Sequence, residues 1–130
     1  MYIIIIGAEE TGNTLAKALV DDGHKVCIIG GYHDNWDVRV RSSRVQYLKT
    51  LELDIEILVV AGIEHADVLY AVATDDNMNK TAALIAKRYY HIPKVVVKLN
   101  DFDKSDIFEE LGIQTVFPAK SELELLKGCL

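Results

Sequence analysis

Cysteine and proline, whose abundance marks several classes of protein, are scarce in this sequence, and basic residues are the minority of its charged residues. It has only two cysteines and two prolines in 130 residues, and its 14 lysines and arginines are outnumbered by 20 aspartates and glutamates. Cys27 and Cys129 provide neither a disulfide framework nor the spacing of a metal site. The formal charge of −6 argues against nonspecific nucleic-acid binding, which requires a basic surface. We therefore expect no nucleic-acid partner.

Long apolar runs are also absent from the sequence. A membrane-spanning helix needs ~20 consecutive apolar residues, and no run approaches that length. The N-terminus lacks the basic start and the cleavage site of a signal peptide. Hydrophobic residues nevertheless make up 50% of the chain and are spread along it. We expect residues 1–130 to form a single cytoplasmic domain without direct membrane insertion.

The strongest pattern lies in the first dozen residues. Tyr2–Ile6 is an unbroken apolar run, which is typical of a parallel strand buried on both faces. A glycine-bounded turn follows, and Asn13–Val20 then has a helical pattern. The turn consists of Gly7, Ala8, Glu9, Glu10, Thr11 and Gly12. A strand, a tight glycine turn and a helix form the first part of a nucleotide-binding βαβ unit, whose helix N-terminus stabilises an anion.

The turn departs from the dinucleotide fingerprint G-x-G-x-x-G at its middle glycine. Gly7 and Gly12 occupy the outer positions, but Glu9 stands where a glycine normally lets a pyrophosphate approach the backbone. A carboxylate ~4 Å from a phosphate would repel it by up to roughly 4 kcal/mol at an effective dielectric constant of about 20. Alternatively, Glu9 or Glu10 occupies the anion site itself and caps the helix.

The second strand lacks the other expected ligand residue. Lys25–Ile29 is continuously apolar, but it ends in Gly30 and Gly31 rather than in the Asp or Glu that binds ribose in dinucleotide-binding domains. The next segment is open to two interpretations. In one it is an irregular crossover; in the other its aromatic residues stack on a base and its arginines pair with phosphates. The residues of this second interpretation are Tyr32, Trp36, Arg39, Arg41 and Arg44.

The rest of the chain alternates between strand and helix patterns. Strands are predicted at Val45–Leu48, Val68–Val72, Lys94–Lys98 and Ile113–Phe117. Helices are predicted at Asp54–Ala61, Asn77–Tyr90, Asp103–Leu111 and Ala119–Leu130. This alternation predicts an α/β fold: a Rossmann-like, doubly wound parallel sheet of about six strands with helices on both faces. Its ligands should bind at the carboxyl ends of the strands, near Gly7–Gly12, Gly30 and Thr74.

Two of the predicted helices carry an apolar stripe. In the helix that starts at Asn77, the stripe predicts one buried face formed by Ala82, Ile85, Ala86 and Tyr89. In the last helix, the stripe consists of Ala119, Leu123, Leu126 and Leu130. That stripe either covers an edge of its own sheet or mediates self-association.

Several short motifs recur in the order and spacing of a known family. They are Ala61–Asp67, Ala73–Asn79, Ala86–Arg88, Ile92–Val95, Val97–Asp101 and Leu111–Ile113. The sequence resembles the N-terminal domain of the TrkA-type potassium-uptake regulators, also called the RCK, KTN or TrkA-N domain, over nearly its whole length. The resemblance implies a cytoplasmic regulatory domain of a potassium transport system. Such a domain controls a membrane transporter or channel subunit through ligand-dependent assembly.

The resemblance also implies a ligand and the residues that hold it. Members of the family bind NAD(H), ADP or ATP, and the positions that match their site are Gly7–Gly12, Gly30, Gly31, Ala73, Thr74 and Asp75. Three positions depart from the family pattern: Glu9 in the phosphate loop, Gly30 in place of the ribose acid, and Thr50–Leu51 in place of a Gly-Asp pair. We therefore expect nucleotide to bind weakly, differently or not at all, and we expect no catalytic or metal-binding residues.

Assembly is a further implication of the resemblance. It predicts a homo-oligomer, either a dimer or a higher ring, in which the last helix crosses to a neighbouring subunit. Because family members carry an additional C-terminal ligand domain, we expect the chain to be a fragment or a stand-alone N-terminal domain. Two other functions stay open: a small NAD-dependent oxidoreductase domain and a ligand-free interaction scaffold. The enzyme is disfavoured because the histidines occur singly, without an evident catalytic partner. They are His24, His33, His65 and His91.

Overall fold

The computed structural model describes residues 1–31, 44–101 and 105–130. Within these ranges the strands are β1 (Tyr2–Ile6), β2 (Lys25–Gly30), β3 (Val45–Lys49), β4 (Val68–Ala71), β5 (Lys94–Lys98) and β6 (Gln114–Val116). The helices are α1 (Glu10–Asp21), α2 (Ile55–Val60), α3 (Asp76–Arg88), α4 (Ser105–Glu110) and α5 (Pro118–Gly128), with a 3-10 turn at Ile63–His65. The stacking and phosphate contacts predicted for Tyr32, Trp36, Arg39 and Arg41 lie outside the described residues.

The strands form one parallel sheet in the order β3-β2-β1-β4-β5-β6. At its centre, Ile4 of β1 is in register with Cys27 of β2 on one side and with Leu69 of β4 on the other. The strand order reverses between β1 and β4, and in such sheets ligands bind outside the carboxyl ends of the strands at that point. The predicted α/β fold is thus confirmed.

Helices cover both faces of the sheet, as predicted. Ile4 and Ile6 of β1 belong to a buried cluster with α2, α3 and α4, whereas Ile3 and Ile5 belong to a second cluster that contains Ala16 of α1. Because side chains alternate along a strand, a continuous isoleucine run can serve both layers at once. This double burial explains why the first strand reads as an unbroken apolar segment.

The buried face of α3 differs from the predicted stripe. The helix buries Asn79, Ala82, Ala83 and Ala86, whereas Tyr89 is 74% exposed. The prediction of Tyr89 as a buried residue is therefore wrong. The helix ends at Arg88, so Tyr89 already lies in the C-cap, outside the repeating face. Small alanines and one asparagine form the fully buried face, and Met78, Leu84 and Ile85 pack against the same core while partly buried.

The amino end of the sheet is closed by polar contacts of Tyr2 and by a buried thiol. The Tyr2 hydroxyl donates to the Ala61 carbonyl, and the Tyr2 backbone N–H donates to an Asp67 carboxylate oxygen at 2.8 Å. Cys27 is fully buried, and burial raises the pKa of its thiol to about 11. At neutral pH Cys27 is therefore a packed thiol rather than a reactive thiolate.

No helix in the described part of the chain has both the length and the apolar composition that crossing a bilayer requires.

Candidate functional site

The outer glycines of the first turn are packing positions. Gly7 has a φ of +113°, and a Cβ there would lie 2.7 Å from the Cα of Ala73. A Cβ on Gly12 would lie 1.8 Å from the carbonyl oxygen of Gly7. Both distances are shorter than atoms in proteins adopt, so glycine is required where α1 starts against β1 and where the turn meets β4.

Glu9, at the middle position, connects the turn to the loop that follows β4. Its backbone is extended and forms the N-cap of α1, but its side chain makes no capping hydrogen bond. Instead the Thr74 backbone N–H donates to the Glu9 carboxylate, with distances of 3.1 Å to Oε2 and 3.4 Å to Oε1. The hypothesis that Glu9 caps its own helix is therefore wrong. Glu9 places a carboxylate between two loops at the carboxyl end of the sheet.

The loop after β4 is held in place by Asn79. Its fully buried side chain accepts a hydrogen bond from the Ala73 N–H at 2.9 Å and donates to the Ala73 carbonyl at 2.8 Å. The same amide nitrogen donates to the carbonyl of Lys98 at 3.0 Å, which joins β4 to β5. Because Ala73 precedes Thr74, Asn79 also fixes the N–H that contacts Glu9.

The two aspartates that follow are occupied by structural contacts. The Asp75 carboxylate accepts from the N–H groups of Asn77 and Met78 at 2.8 and 3.3 Å and so caps α3. The Asp76 carboxylate accepts from the backbone N–H of Asn100 at 3.0 Å and from that of Asp101 at 3.2 Å. We call residues 73–79 the β4 wall; its contacts reach from α1 to the loop after β5.

A second wall is formed at the ends of β2 and β3. The Thr50 N–H donates to the Gly30 carbonyl at 2.9 Å. The Thr50 hydroxyl donates to the Glu52 carbonyl at 2.7 Å and closes a short turn. Leu51, at the tip of this turn, is 90% exposed. We call residues 30–31 and 50–53 the β2–β3 wall; no acidic residue stands at the end of β2, where ribose would be bound.

The two walls enclose a cavity of about 180 Å³, which we call the strand-end crevice. It is lined by Ile6, Gly7, Glu9, Ile29, Gly30, Gly31, Thr50, Leu51, Glu52, Leu53, Ala73, Thr74, Asp75 and Met78. Carboxylates come from Glu9, Glu52 and Asp75, and none of the described lining residues is basic. Pockets that bury a drug-sized ligand usually measure about 300–1,000 Å³. The crevice is thus small, acidic and partly apolar.

Sequence reasoning located part of this lining. The structure brings Gly7, Glu9, Gly30, Gly31, Ala73, Thr74 and Asp75 to the crevice. It places Ala8, Glu10, Thr11 and Gly12 elsewhere: Ala8 is buried under α1, and the other three lie in the first turn of that helix. Of the other lining residues, Thr50 and Leu51 stand where the family pattern has its Gly-Asp pair, whereas Glu52, Leu53 and Met78 are not predicted as site residues. The sequence feature that indicates them is their position: residues 50–53 directly follow β3, and Met78 lies in the first turn of α3.

Acid–base and metal chemistry have little support in the described residues. No three His, Cys, Asp or Glu side chains within them come together as a metal site. The described histidines, at positions 24, 65 and 91, are not among the residues that line the crevice. His24 instead lies 3.2 Å from the N-terminal amine, and His33 is outside the described residues.

A family model and curated relatives match most of the chain. The model described as TrkA-N domain matches residues 3–118. The chain is 31% identical to the Trk system potassium uptake protein TrkA of Streptomyces coelicolor over 116 residues, covering 89% of this chain and 52% of that protein. It is 32% identical to a TrkA homolog of Methanothermobacter thermautotrophicus over 121 residues, covering 89% and 53%. The chain spans about half the length of these relatives.

Solved structures share the fold at low sequence identity. A structure described as the Kef CTD of Shewanella denitrificans in AMP-bound form matches with a TM-score of 0.71 and 18% identity, covering 98% of this chain and 80% of that chain. The NAD(P)-binding domain of an exopolyphosphatase-related protein from Archaeoglobus fulgidus matches with a TM-score of 0.72 and 17% identity, covering 97% and 94%. At these identities the matches establish a Rossmann-like architecture.

Proposed function

Because the chain belongs to the TrkA-N domain family, we propose that it is a cytoplasmic regulatory domain of a potassium transport system. The curated relatives that it matches are named as potassium uptake proteins of the Trk system. The observation that carries the proposal is the contact between Glu9 and the Thr74 N–H, which joins the loops after the neighbouring strands β1 and β4 beside the crevice. A small molecule that enters there acts on both loops at once, and this arrangement suits a sensor.

We propose that the ligand is of the nucleotide type and that whole dinucleotides bind poorly. The family resemblance suggests NAD(H), ADP or ATP, and a structural neighbour was obtained with AMP bound. Against NAD(H), Glu9 replaces the glycine beside the pyrophosphate, and Gly30 replaces the ribose acid. A carboxylate in a partly enclosed cavity repels phosphate more strongly than it would in water.

We also propose that the chain is regulatory rather than enzymatic. The oxidoreductase alternative requires a proton donor or acceptor within hydrogen-bond reach of a substrate carbonyl or hydroxyl. Of the three carboxylates that line the crevice, Asp75 is engaged with the backbone of α3, Glu9 accepts from Thr74, and Glu52 is exposed to solvent. The transport names of the relatives favour the same conclusion.

We propose that α5 is the surface through which copies of the chain associate. No residue of this helix is buried, and Leu123 and Leu126 are 56% and 65% exposed. Burying a leucine contributes roughly 1.5–3 kcal/mol, so two leucines from each copy can hold a micromolar dimer after the cost of association. A two-fold contact would bury the same stripe on both chains.

The association proposal is tested by replacing both leucines. We expect Leu123→Glu with Leu126→Glu to give a folded monomer by light scattering, with an unchanged circular dichroism spectrum. Lys127→Glu, on the same exposed helix, is the matched control and should leave the oligomer intact. If the unmodified chain is a monomer at high concentration, this helix is not the contact.

The regulatory role is tested by potassium uptake in cells that lack the gene for this chain. We expect uptake at low external potassium to fall and to return when the intact gene is supplied. The doubly substituted Leu123 and Leu126 variant should fail to restore uptake, whereas Lys127→Glu should restore it. Unchanged uptake in the deletion strain would contradict the proposed role.

A further inference from the structure

We propose that the strand-end crevice selects an uncharged nucleoside over the corresponding nucleotide, and that the Glu9 carboxylate makes this selection. The inference rests on the proposed function, since it assigns the ligand class of the same site. It goes beyond the proposed function because it predicts that a phosphate group on the ligand weakens binding at a site that, in the family, binds nucleotides. Three features carry it: the charge of the lining, the arrangement of acceptors and the apolar surface beside them.

The charge of the lining disfavours phosphate. Glu9, Glu52 and Asp75 contribute carboxylates, and none of the described lining residues contributes a compensating cation. The Thr74 N–H donates to the Glu9 carboxylate at 3.1 Å. This backbone donor could bind an external anion, but the carboxylate of the chain itself already occupies it. A phosphate would have to displace this carboxylate and would still lie beside it, within the range where like charges repel strongly.

The remaining acceptor capacity suits hydroxyl donors. A carboxylate has about four lone-pair sites, and Glu9 uses part of them on Thr74. Vicinal ribose hydroxyls donate hydrogen bonds and are normally bound by an acid at the end of the second strand. Here that position is Gly30, while Glu9 and Glu52 bring acids to other parts of the crevice. The crevice therefore still has acidic hydrogen-bond acceptors, but they lie at Glu9 and Glu52 rather than at the end of β2.

An apolar surface adjoins these acceptors and can receive a base. The half-buried Leu53 and Met78 and the exposed Leu51 supply this surface, with the fully buried Ile6 and Ile29 behind it. Small-molecule sites typically combine such apolar walls with a few polar groups that fix orientation. The volume of about 180 Å³ is small for a dinucleotide. A nucleoside supplies a flat base for the apolar wall and hydroxyl donors for the carboxylates, without adding negative charge.

The test compares each nucleoside with its own monophosphate on the same protein. Adenosine, guanosine, cytidine and uridine and their 5′-monophosphates are titrated by calorimetry into the unmodified chain, Glu9→Gln and Glu10→Gln. Glu9→Gln removes the charge but keeps an oxygen that can accept from Thr74. Glu10→Gln makes the same charge change one residue away, at a side chain that does not line the crevice. Thermal unfolding of all three proteins verifies that each is folded.

We expect at least one nucleoside to bind the unmodified chain more tightly than its monophosphate. Glu9→Gln should shift the ratio of the two dissociation constants toward the monophosphate by about tenfold or more, whereas Glu10→Gln should change it by no more than about twofold. Tighter binding of the monophosphates to the unmodified chain, or equal shifts in both variants, would overturn the inference while leaving a nucleotide-type site in place. Binding of none of the probes would contradict both the inference and the proposed ligand.

Discussion

The two walls of the strand-end crevice are built in different ways. In the β4 wall, side chains fix the backbone: Asn79 bonds both polar groups of Ala73, and Asp75 caps α3. In the β2–β3 wall, a short turn follows the strand, and the side chains of Leu51 and Glu52 project from it. The β4 wall is therefore held by the buried Asn79, whereas the β2–β3 wall presents exposed groups that a ligand would cover.

The departures from the family pattern follow this division. In the motif from Ala73 to Asn79, which the resemblance matches to the family, the buried Asn79 amide holds the backbone of Ala73. The changes fall at Glu9, at Gly30 and at Thr50–Leu51, all of which line the crevice. This division is the reason that we propose a weakened or changed ligand rather than a changed fold.

The largest expected effect lies at the glycine that joins α1 to β1. Gly12→Ala places a Cβ 1.8 Å from the Gly7 carbonyl oxygen, a contact with a backbone atom that only a shift of α1 can relieve. We expect the free energy of unfolding, measured with urea, to fall by about 3–5 kcal/mol. Gly128→Ala is the control, because nothing lies within 4 Å of its Cβ position. A Gly12→Ala protein as stable as the control would show that this turn is not a packing position.

The next largest effect is expected at Asn79 in the β4 wall. Asn79→Leu removes three hydrogen bonds and leaves the N–H of Ala73 and the carbonyls of Ala73 and Lys98 without that partner. Each buried polar group left unpaired costs about 1–3 kcal/mol, so the three groups together should cost at least about 3 kcal/mol in urea unfolding. Asn77→Leu is the control, because Asn77 lies in the same helix but is exposed. It should change the free energy of unfolding by less than about 0.5 kcal/mol. Similar losses in both variants would remove the distinction between the walls.

How well the sequence predicts the site depends on how local each signal is. Gly7 and the apolar strands are predicted from neighbours within a few residues, whereas Ala73 and Asp75 are predicted from the family resemblance. The lining from Thr50 to Leu53 has only a weak local signal, its position directly after β3, because the turn reaches the crevice only through the pairing of β3 with β2. The contact of Glu9 with Thr74 spans 65 positions and depends on the whole sheet order.

Restoring the ligand positions should bring dinucleotide binding back on both sides of the crevice. Glu9→Gly removes the charge and the side chain beside a pyrophosphate, and Gly30→Asp supplies a ribose acceptor at the end of β2. We expect the double variant to bind NADH at least about tenfold more tightly than the unmodified chain in calorimetry, a difference of about 1.4 kcal/mol. The single variants assign the gain to Glu9 or to Gly30, and Glu10→Gly is the control for lost charge. Tight NADH binding by the unmodified chain would contradict the prediction.

The smallest effect on folding is expected at Leu51, and it separates the walls most clearly. Because its side chain is 90% exposed, Leu51→Ser removes little buried surface and should change the free energy of unfolding by less than about 0.5 kcal/mol. The same side chain lines the crevice, so a base that packs on it should bind roughly three- to tenfold more weakly in the variant. Leu125→Ser, at an exposed leucine of α5, is the matched control and should leave nucleoside affinity unchanged. A loss of stability without a loss of affinity would mean that the β2–β3 wall is shaped by folding, as the β4 wall is, and not by its ligand.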